Sequence, residues 1–369
     1  MSAQSKELKP LRFSHIIGKD FSSTLNKRVR AYFKENNISK YANTAMVIKT
    51  IVITLSYLIP LGLVLSGQIT GFWSVFLLYI IMGFGMAGVG LSIMHDANHG
   101  AYSKKDNVNK WVGRIINLVG GYALNWKIQH NVLHHTYTNV HEYDEDISTI
   151  NLMRFSPDEK WRPVHKYQYL YAWFFYGLMT VMWMTTKDFK QLKRYKDKDL
   201  LKNFNQTYKG NIIRMIVSKV FYYALIIILP MIILSSSISW YWILLFVFVM
   251  HYIAGFILGI VFQPAHVIPD TKFVKATKDL TIENNFAIHQ METTCNFAPK
   301  SRIFAWYVGG LNYQVEHHLF PNICHVHYKK LSKIVKETAK EFNVPYNSHE
   351  TFFKALFNHG KMLKQLGKA

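Results

Sequence analysis

The stretch from His130 to Asn139, HNVLHHTYTN, places three histidines within six residues. On a regular α-helix, His130 and His134 lie one turn apart on the same face, whereas His135 lies about 100° further round the axis. Two adjacent histidines therefore do not both face the same ion from such a helix. The pattern favours two neighbouring metal ions over one, and it predicts a fold that is organised around a metal centre.

Two further histidine boxes support this interpretation. HDANH begins at residue 95, directly after an apolar run, and presents its two histidines on one helical face. QVEHH ends at residue 318, and its glutamine offers a weak ligand, bound directly or through a water. Another histidine follows the last apolar run. The candidate metal ligands are therefore His95, His99, His130, His134, His135, His266, His317, His318 and Gln314.

Residues beside the boxes are expected to support the ligands or the substrate. Asp96 lies between the histidines of the first box and is expected to orient a ring nitrogen, although capping or solvating the helix end fits its position equally well. Glu316 and His289 are also expected to hydrogen-bond with ligands. The residues close to the boxes that we expect to line a substrate tunnel are Trp126, Trp306 and Tyr307.

The composition is that of a membrane protein. Half of the 369 residues are hydrophobic and 15% are aromatic, which is typical of a membrane enzyme. Four apolar runs each approach the ~20 residues that a bilayer core requires. They predict an all-α integral membrane protein with four transmembrane helices in two hairpins. The runs cover residues 44–66, 69–94, 212–234 and 238–262.

Two other apolar stretches, 111–125 and 167–186, are assigned to the membrane interface. The first is too short to cross and contains Arg114. A crossing by the second would put the third box across the membrane from the other two, and its many Tyr and Trp residues fit an aromatic belt. Within the runs, His251 is interpreted as a satisfied or lumen-facing histidine rather than a haem ligand. The glycines predicted to allow close helix packing are Gly83, Gly85, Gly88, Gly90, Gly255 and Gly259.

The formal net charge of +21 is compatible with nucleic acid, anionic lipid or an acidic protein as partner. Its distribution follows membrane topology, because 40 of the 43 Lys and Arg residues lie in residues 1–43, 95–211 and 263–369. The positive-inside rule places these segments, both termini and the active site in the cytoplasm, next to membrane lipid and not nucleic acid. Two cysteines, no CxxC motif and a hydrophilic start without a signal peptide fit a mature protein in a reducing compartment.

We expect a single domain over residues 1–369, in which residues 1–43 form a solvated basic arm. The other segments are a first transmembrane hairpin (44–94), a cytoplasmic segment with boxes one and two (95–211), a second hairpin (212–262) and a cytoplasmic segment with box three (263–369).

The ligand set narrows the choice of metal. Imidazole suits iron, copper, zinc or nickel. Zinc needs only three or four ligands at each site and often takes Cys or a carboxylate. Two metal ions bound almost wholly by histidine at a bilayer surface favour redox chemistry on a lipid-like substrate, and oxygen activation at iron is the natural candidate.

At these residues the sequence resembles the membrane fatty acid desaturases. HDANH, HNVLHH and QVEHH correspond, in order and at similar separations, to the three histidine boxes of that family, and the resemblance covers nearly the whole chain. The stretch GLNYQVEHHLFP is similar to the front-end acyl desaturases, the group that includes linoleoyl-CoA desaturase. In that group Gln commonly replaces the first histidine of the third box, as Gln314 does here.

The resemblance implies a four-helix membrane stem with a cytoplasmic helical cap that holds two iron ions on the box histidines, and it also supports His266 as a ligand. The implied reaction takes two electrons from a donor, reduces O2 to water and introduces a cis double bond into an acyl-CoA or acyl-lipid, with front-end regioselectivity. The reactive iron-oxygen species would have to be shielded from side reactions.

One departure from the family concerns the electron donor. Many front-end members carry a fused haem-cytochrome domain with a His-Pro-Gly-Gly motif, and this sequence has no such motif. The 43 residues before the first run are too few to hold that domain. We therefore expect a separate donor, a ferredoxin or a free cytochrome, that is acidic and docks on the basic face.

Two other functions compete with desaturation. A di-iron lipid hydroxylase or related oxygenase would use the same boxes and add oxygen to carbon. A non-enzymatic histidine-rich metal transporter or membrane cytochrome would place its ligands near the midplane of several spans, whereas here every box lies outside the apolar runs.

Overall fold

The computed structural model describes residues 8–14, 18–148 and 151–368. In chain order its elements are β1 (Arg12–Phe13), α1 (Lys19–Glu35), α2 (Thr44–Leu65), α3 (Phe72–Asn98), α4 (Asp106–Gly113), α5 (123–134), α6 (Gln168–Gly177), α7 (179–197), α8 (Tyr208–Ile233), α9 (Trp240–His266), β2 (Thr281–Ile282), α10 (Phe286–Thr293), β3 (Cys295–Phe297), α11 (Arg302–Tyr307), α12 (Gln314–Leu319), α13 (Tyr328–Glu341), β4 (Asn347–His349) and α14 (Phe352–Leu366). Short 3₁₀ turns lie at Arg114–Val119, Pro163–Tyr167, Lys202–Phe204 and His325–His327.

Four helices, α2, α3, α8 and α9, are long and apolar enough to cross a membrane. They confirm the predicted helical membrane fold with four candidate membrane-spanning helices. The helices extend beyond some of the apolar runs, because backbone hydrogen bonding continues past the last apolar residue. The last apolar run ends at residue 262, but α9 continues through Pro264 to His266. This histidine therefore lies in the last turn of a span rather than after it.

Glycines let the spans approach closely. A Cβ atom on Gly255 would lie 2.5 Å from the backbone oxygen of Gly177, and one on Gly83 would lie 2.8 Å from the backbone oxygen of Met250. Such distances leave no room for a side chain, so the predicted packing role of these glycines is confirmed. On the other glycines of this set an added Cβ atom would lie only 2.6 to 3.3 Å from the nearest atom of a neighbouring helix. These glycines are Gly85, Gly88, Gly90 and Gly259.

The two stretches assigned to the interface are not continuous helices. Residues 111–125 are divided between α4, a 3₁₀ turn and the start of α5, and residues 167–186 are divided between α6 and α7. Neither is among the four candidate spans of the described chain. His251 is satisfied inside the bundle, because its Nε2 lies 2.7 Å from the Tyr222 hydroxyl and its Nδ1 lies 3.2 Å from Thr180 Oγ1.

The remaining elements form a cap at the end of the bundle where α3 and α9 finish. Helix α1 belongs to this cap, because Phe21, Leu25 and Val29 are buried against residues of α10 and α13. The arm predicted to be solvated is therefore packed from residue 19 onward, since these apolar residues recur on one face of α1. Two short parallel pairings, β1 with β2 and β3 with β4, tie distant parts of the cap together.

Candidate metal centre

A π-helical turn shapes the second histidine box. Residues Lys127–His134 form a π-helix, and the backbone N–H of His135 donates to the carbonyl of His130 at 2.8 Å. The wider turn brings His130 and His135 together, with their Nε2 atoms 3.2 Å apart. The regular helix assumed from the sequence is wrong here. The prediction that His134 and His135 do not face the same ion nevertheless agrees with the structure, because His134 lies beside His266 and His318 whereas His135 lies beside His317.

The histidines converge in two clusters. In the first, the ligand atoms of four rings lie within 4.8 Å of one another, and His135 joins them with its Nε2 2.8 Å from that of His317. In the second, three rings lie within the same limit. The two clusters contain all eight predicted histidines. Their members are His95, His99, His130 and His317, joined by His135, and separately His134, His266 and His318.

Hydrogen bonds to Nδ1 orient the rings of the second cluster. The acceptors are a carboxylate, a side-chain amide oxygen and a backbone carbonyl, so in each case Nδ1 carries a proton and Nε2 is the nitrogen left to face a metal. The three pairs are His134 with Asp144 Oδ1 at 3.0 Å, His318 with Gln290 Oε1 at 2.9 Å and His266 with the carbonyl of Thr293 at 3.2 Å.

The inward nitrogens fit metal ions. Nε2 of His99, His266 and His318 is buried without a hydrogen-bond partner among the described residues. Burial, together with the neighbouring rings, lowers the pKa of His99 and His318, so these imidazoles are neutral and offer a lone pair. A buried polar atom without a partner costs free energy, and coordination to a metal would satisfy it. An imidazole donor set of this kind suits a first-row transition metal.

Gln314 lies on the same helix as the third box. It precedes His317 and His318 by three and four residues, which places the three side chains on one side of α12. Its side chain is buried, and neither its Oε1 nor its Nε2 has a partner in the part of the chain that the structure describes. An unsatisfied amide beside the clusters is consistent with a ligand that binds directly or through a water.

Two carboxylates next to the second box were missed by the sequence analysis. Asp144 and Asp146 lie 3.0 and 3.5 Å from Nδ1 of His134. Burial opposes protonation of His134, but these carboxylates outweigh it and raise its pKa to about 9. The available signal was the acidic sequence EYDED at residues 142–146, which follows the box directly. No comparable signal marks Gln290 or Thr293.

Three residues expected to support the ligands have other partners. Asp96 Oδ2 accepts the backbone N–H of His325 at 3.1 Å and lies 2.8 Å from its Nδ1. Glu316 accepts hydrogen bonds from Asn296 and Tyr346 at 2.8 and 3.0 Å, and burial raises its pKa to about 7. These two acids therefore anchor the first and third boxes to the cap. His289 lies outside both clusters, with its ring centre 5.4 Å from that of Phe13.

A cavity of about 360 Å³ reaches the first cluster. His130 and Trp126 both line it, and their ring centres are 4.5 Å apart. The other two residues expected to line a tunnel lie elsewhere among the described residues. Trp306 is 41% exposed, and the Tyr307 hydroxyl donates to the carbonyl of Phe84. Proximity in sequence to a box was therefore a poor guide to the cavity wall.

Comparisons with known proteins agree with this geometry. The family model described as fatty acid desaturase matches residues 70–350. The sn-1 linoleoyl-lipid 6-desaturase of Arthrospira platensis is 38% identical over 96% of this chain and 94% of its own length. The protein of the same name from Synechocystis sp. is 32% identical, over 95% and 96%. The acyl-lipid (8-3)-desaturase of Physcomitrium patens is 33% identical, over 97% and 74%.

Proposed function

Because this chain belongs to the fatty acid desaturase family and is a membrane acyl desaturase, we propose that it introduces a cis double bond into the acyl chain of a lipid. The reaction would depend on O2 and take place at two iron ions. The names of the relatives support a front-end position and an acyl-lipid rather than an acyl-CoA, because two relatives matched over 94% and 96% of their length are linoleoyl-lipid 6-desaturases. The two hydrogen atoms removed from the acyl chain, two electrons from a donor and two protons from solvent would together reduce O2 to two waters.

The observation that carries the proposal is the pair of histidine clusters, in which buried Nε2 atoms converge and the Nδ1 atoms of the second cluster are hydrogen-bonded from outside. One ion would be held by His95, His99, His130 and His317 with His135, and the other by His134, His266 and His318. Gln314 would be a further ligand of the centre, directly or through a water. When bound, the irons would supply the oxidising power that an unactivated C–H bond requires.

The chain's own residues would position the acyl chain and keep water out. Trp126 and Phe262 line the cavity beside His130, and both rings also lie near His95, at 5.4 and 6.2 Å. An acyl chain in this cavity would therefore pass the first cluster between apolar side chains. The hydrogen bonds to Nδ1 of His134 and His318 would keep those rings aimed at the site while substrate enters and leaves.

We further propose that the clusters, both termini and the cap face the cytoplasm. The proposal is supported by the distribution of the 40 basic residues outside the apolar runs. The same positive surface would attract an acidic electron donor, a separate ferredoxin or cytochrome.

Expression in a host of known lipid content, followed by fatty-acid analysis with mass spectrometry, tests the reaction. We expect a new cis double bond that is lost in His134→Ala and kept in His141→Ala, because His141 belongs to neither cluster. Metal analysis of the purified protein should find two irons for each chain. A product with added oxygen would contradict desaturation, and an active protein without iron would contradict the proposed centre.

A further inference from the structure

The cavity beside the first cluster has an apolar part and a charged part. Its apolar wall includes Phe155, Phe175 and Met179, which suit an acyl chain. One face of α7 supplies the charged part, with Lys187, Lys190 and Arg194 at helical spacing next to the neutral Gln191. A ligand in this cavity would therefore touch hydrocarbon and positive charge at the same time.

The carboxylates in this wall already have partners. Glu145 is ion-paired with Arg194 at 2.9 Å and accepts the Tyr195 hydroxyl at 2.7 Å. Asp146 accepts the amide of Gln129 at 2.5 Å and lies 3.5 Å from His134 Nδ1. Both acids are therefore engaged in direct contacts with other groups, and they act on Lys187 only from beyond contact distance.

Two lysines of the cavity wall are the exceptions. Neither Lys187 nor Lys190 has a carboxylate oxygen within 4.0 Å among the described residues. The ammonium of Lys187 lies 5.3 Å from the ring centre of Trp183, which also lines the cavity. Lys187 and Lys190 are thus two cations of the cavity wall, about one helical turn apart, that make no direct ion pair among the described residues.

We propose that Lys187 and Lys190 bind a phosphate group of the lipid substrate, so that the enzyme prefers a phosphate-bearing acyl donor to an uncharged glycolipid. The inference rests on the proposed function, since it assumes that the acyl chain occupies this cavity. Lysine ammonium groups bind phosphate as point charges and need no fixed geometry, which suits a headgroup at the cavity mouth. The phosphate could belong to a phospholipid or to coenzyme A.

Competition between lipids that carry the same acyl chain tests this preference. The purified protein in detergent is given equimolar dilinoleoyl phosphatidylglycerol, dilinoleoyl monogalactosyldiacylglycerol and linoleoyl-CoA, and native mass spectrometry measures the fraction bound by each. We expect the phosphate-bearing ligands to be bound over the galactolipid by roughly five- to tenfold, the range for two partly solvated charge pairs. The phospholipid-to-CoA ratio identifies the source of the phosphate.

The double variant Lys187→Gln/Lys190→Gln should remove this preference and leave galactolipid binding unchanged. Lys193→Gln is the matched control, because Lys193 is an exposed lysine of the same helix outside the cavity wall. Lys187 and Lys190 are themselves partly or fully exposed, and gel filtration checks that the variants remain folded. Equal binding of the galactolipid by the unchanged protein, or a preference that survives in the double variant, would overturn the inference.

The outcome separates this inference from the function on which it rests. If the host lipids gain a double bond but the purified protein shows no phosphate preference, only the headgroup assignment fails. If no lipid class gains a double bond, the proposed function fails.

Discussion

At the scale of single residues, the partner of each Nδ1 atom decides how strongly a ring can bind metal. Asp144 is the only carboxylate that lies within 3.1 Å of a cluster histidine among the described residues, with both of its oxygens near His134 Nδ1. A carboxylate in this position fixes the tautomer and increases the basicity of Nε2. The neutral oxygens of Gln290 and Thr293 fix the tautomer but add no charge.

Replacing Asp144 with Asn should therefore weaken metal binding without removing a ligand. We expect affinity to fall by about 10- to 100-fold, the usual effect of losing such a supporting group. The ratio of iron to protein after equilibrium dialysis, measured by mass spectrometry, checks this result. Glu142→Gln removes an exposed carboxylate from the same acidic stretch and should keep full occupancy. Equal occupancy in the two variants would mean that Asp144 has no role in binding.

The residues that could be predicted from sequence are those whose chemistry is local. Seven of the eight histidines were identified because imidazoles at box spacing leave few other functions, and His266 was identified because it follows the last apolar run. Both clusters contain only residues from that set. Gln290 comes from a helix with no box, and it reaches His318 only through the packing of α10 against α12. Such a partner depends on tertiary contacts that no short motif records.

At the scale of elements, the four spans could be predicted because apolar length is a local property of the chain. The π turns in α3 and α5 could not, since a single extra residue in a turn leaves the apolar pattern almost unchanged. The turn in α5 nevertheless determines that His130 pairs with His135. In contrast, the glycines of α9 were recognisable as packing sites from their spacing.

Two glycine-to-alanine changes should have opposite effects on stability. In Gly255→Ala the new Cβ would meet the backbone oxygen of Gly177 at 2.5 Å, and α6 would have to move away from α9. We expect a loss of about 1–3 kcal/mol, typical of overpacking. Gly62→Ala places its Cβ in open space within α2 and should be neutral or gain up to about 1 kcal/mol. Thermal unfolding of the purified variants should show a lower Tm for Gly255→Ala only.

At the scale of the whole molecule, the clusters join segments that are far apart in sequence. Their histidines come from the ends of two spans, α3 and α9, and from α5, its following residue and α12 in the cap. Bound metal would therefore connect the cap to both hairpins of the membrane stem. Several buried ring nitrogens at this junction have no hydrogen-bond partner among the described residues, so a bound metal would satisfy groups on which the packing of the cap against the stem depends.

Removal of metal should consequently lower the stability of the entire fold. A ligand that binds only the folded state stabilises it by about 4 kcal/mol at a thousandfold excess over Kd, so we expect Tm to fall by several degrees after chelation and to recover with Fe(II) under anaerobic conditions. In His318→Ala the chelator should cause a smaller shift, because the second cluster loses one of its three rings. His141→Ala should respond as the unchanged protein does. If chelation stripped the iron and left Tm unaltered, the clusters would not connect the cap to the stem through metal.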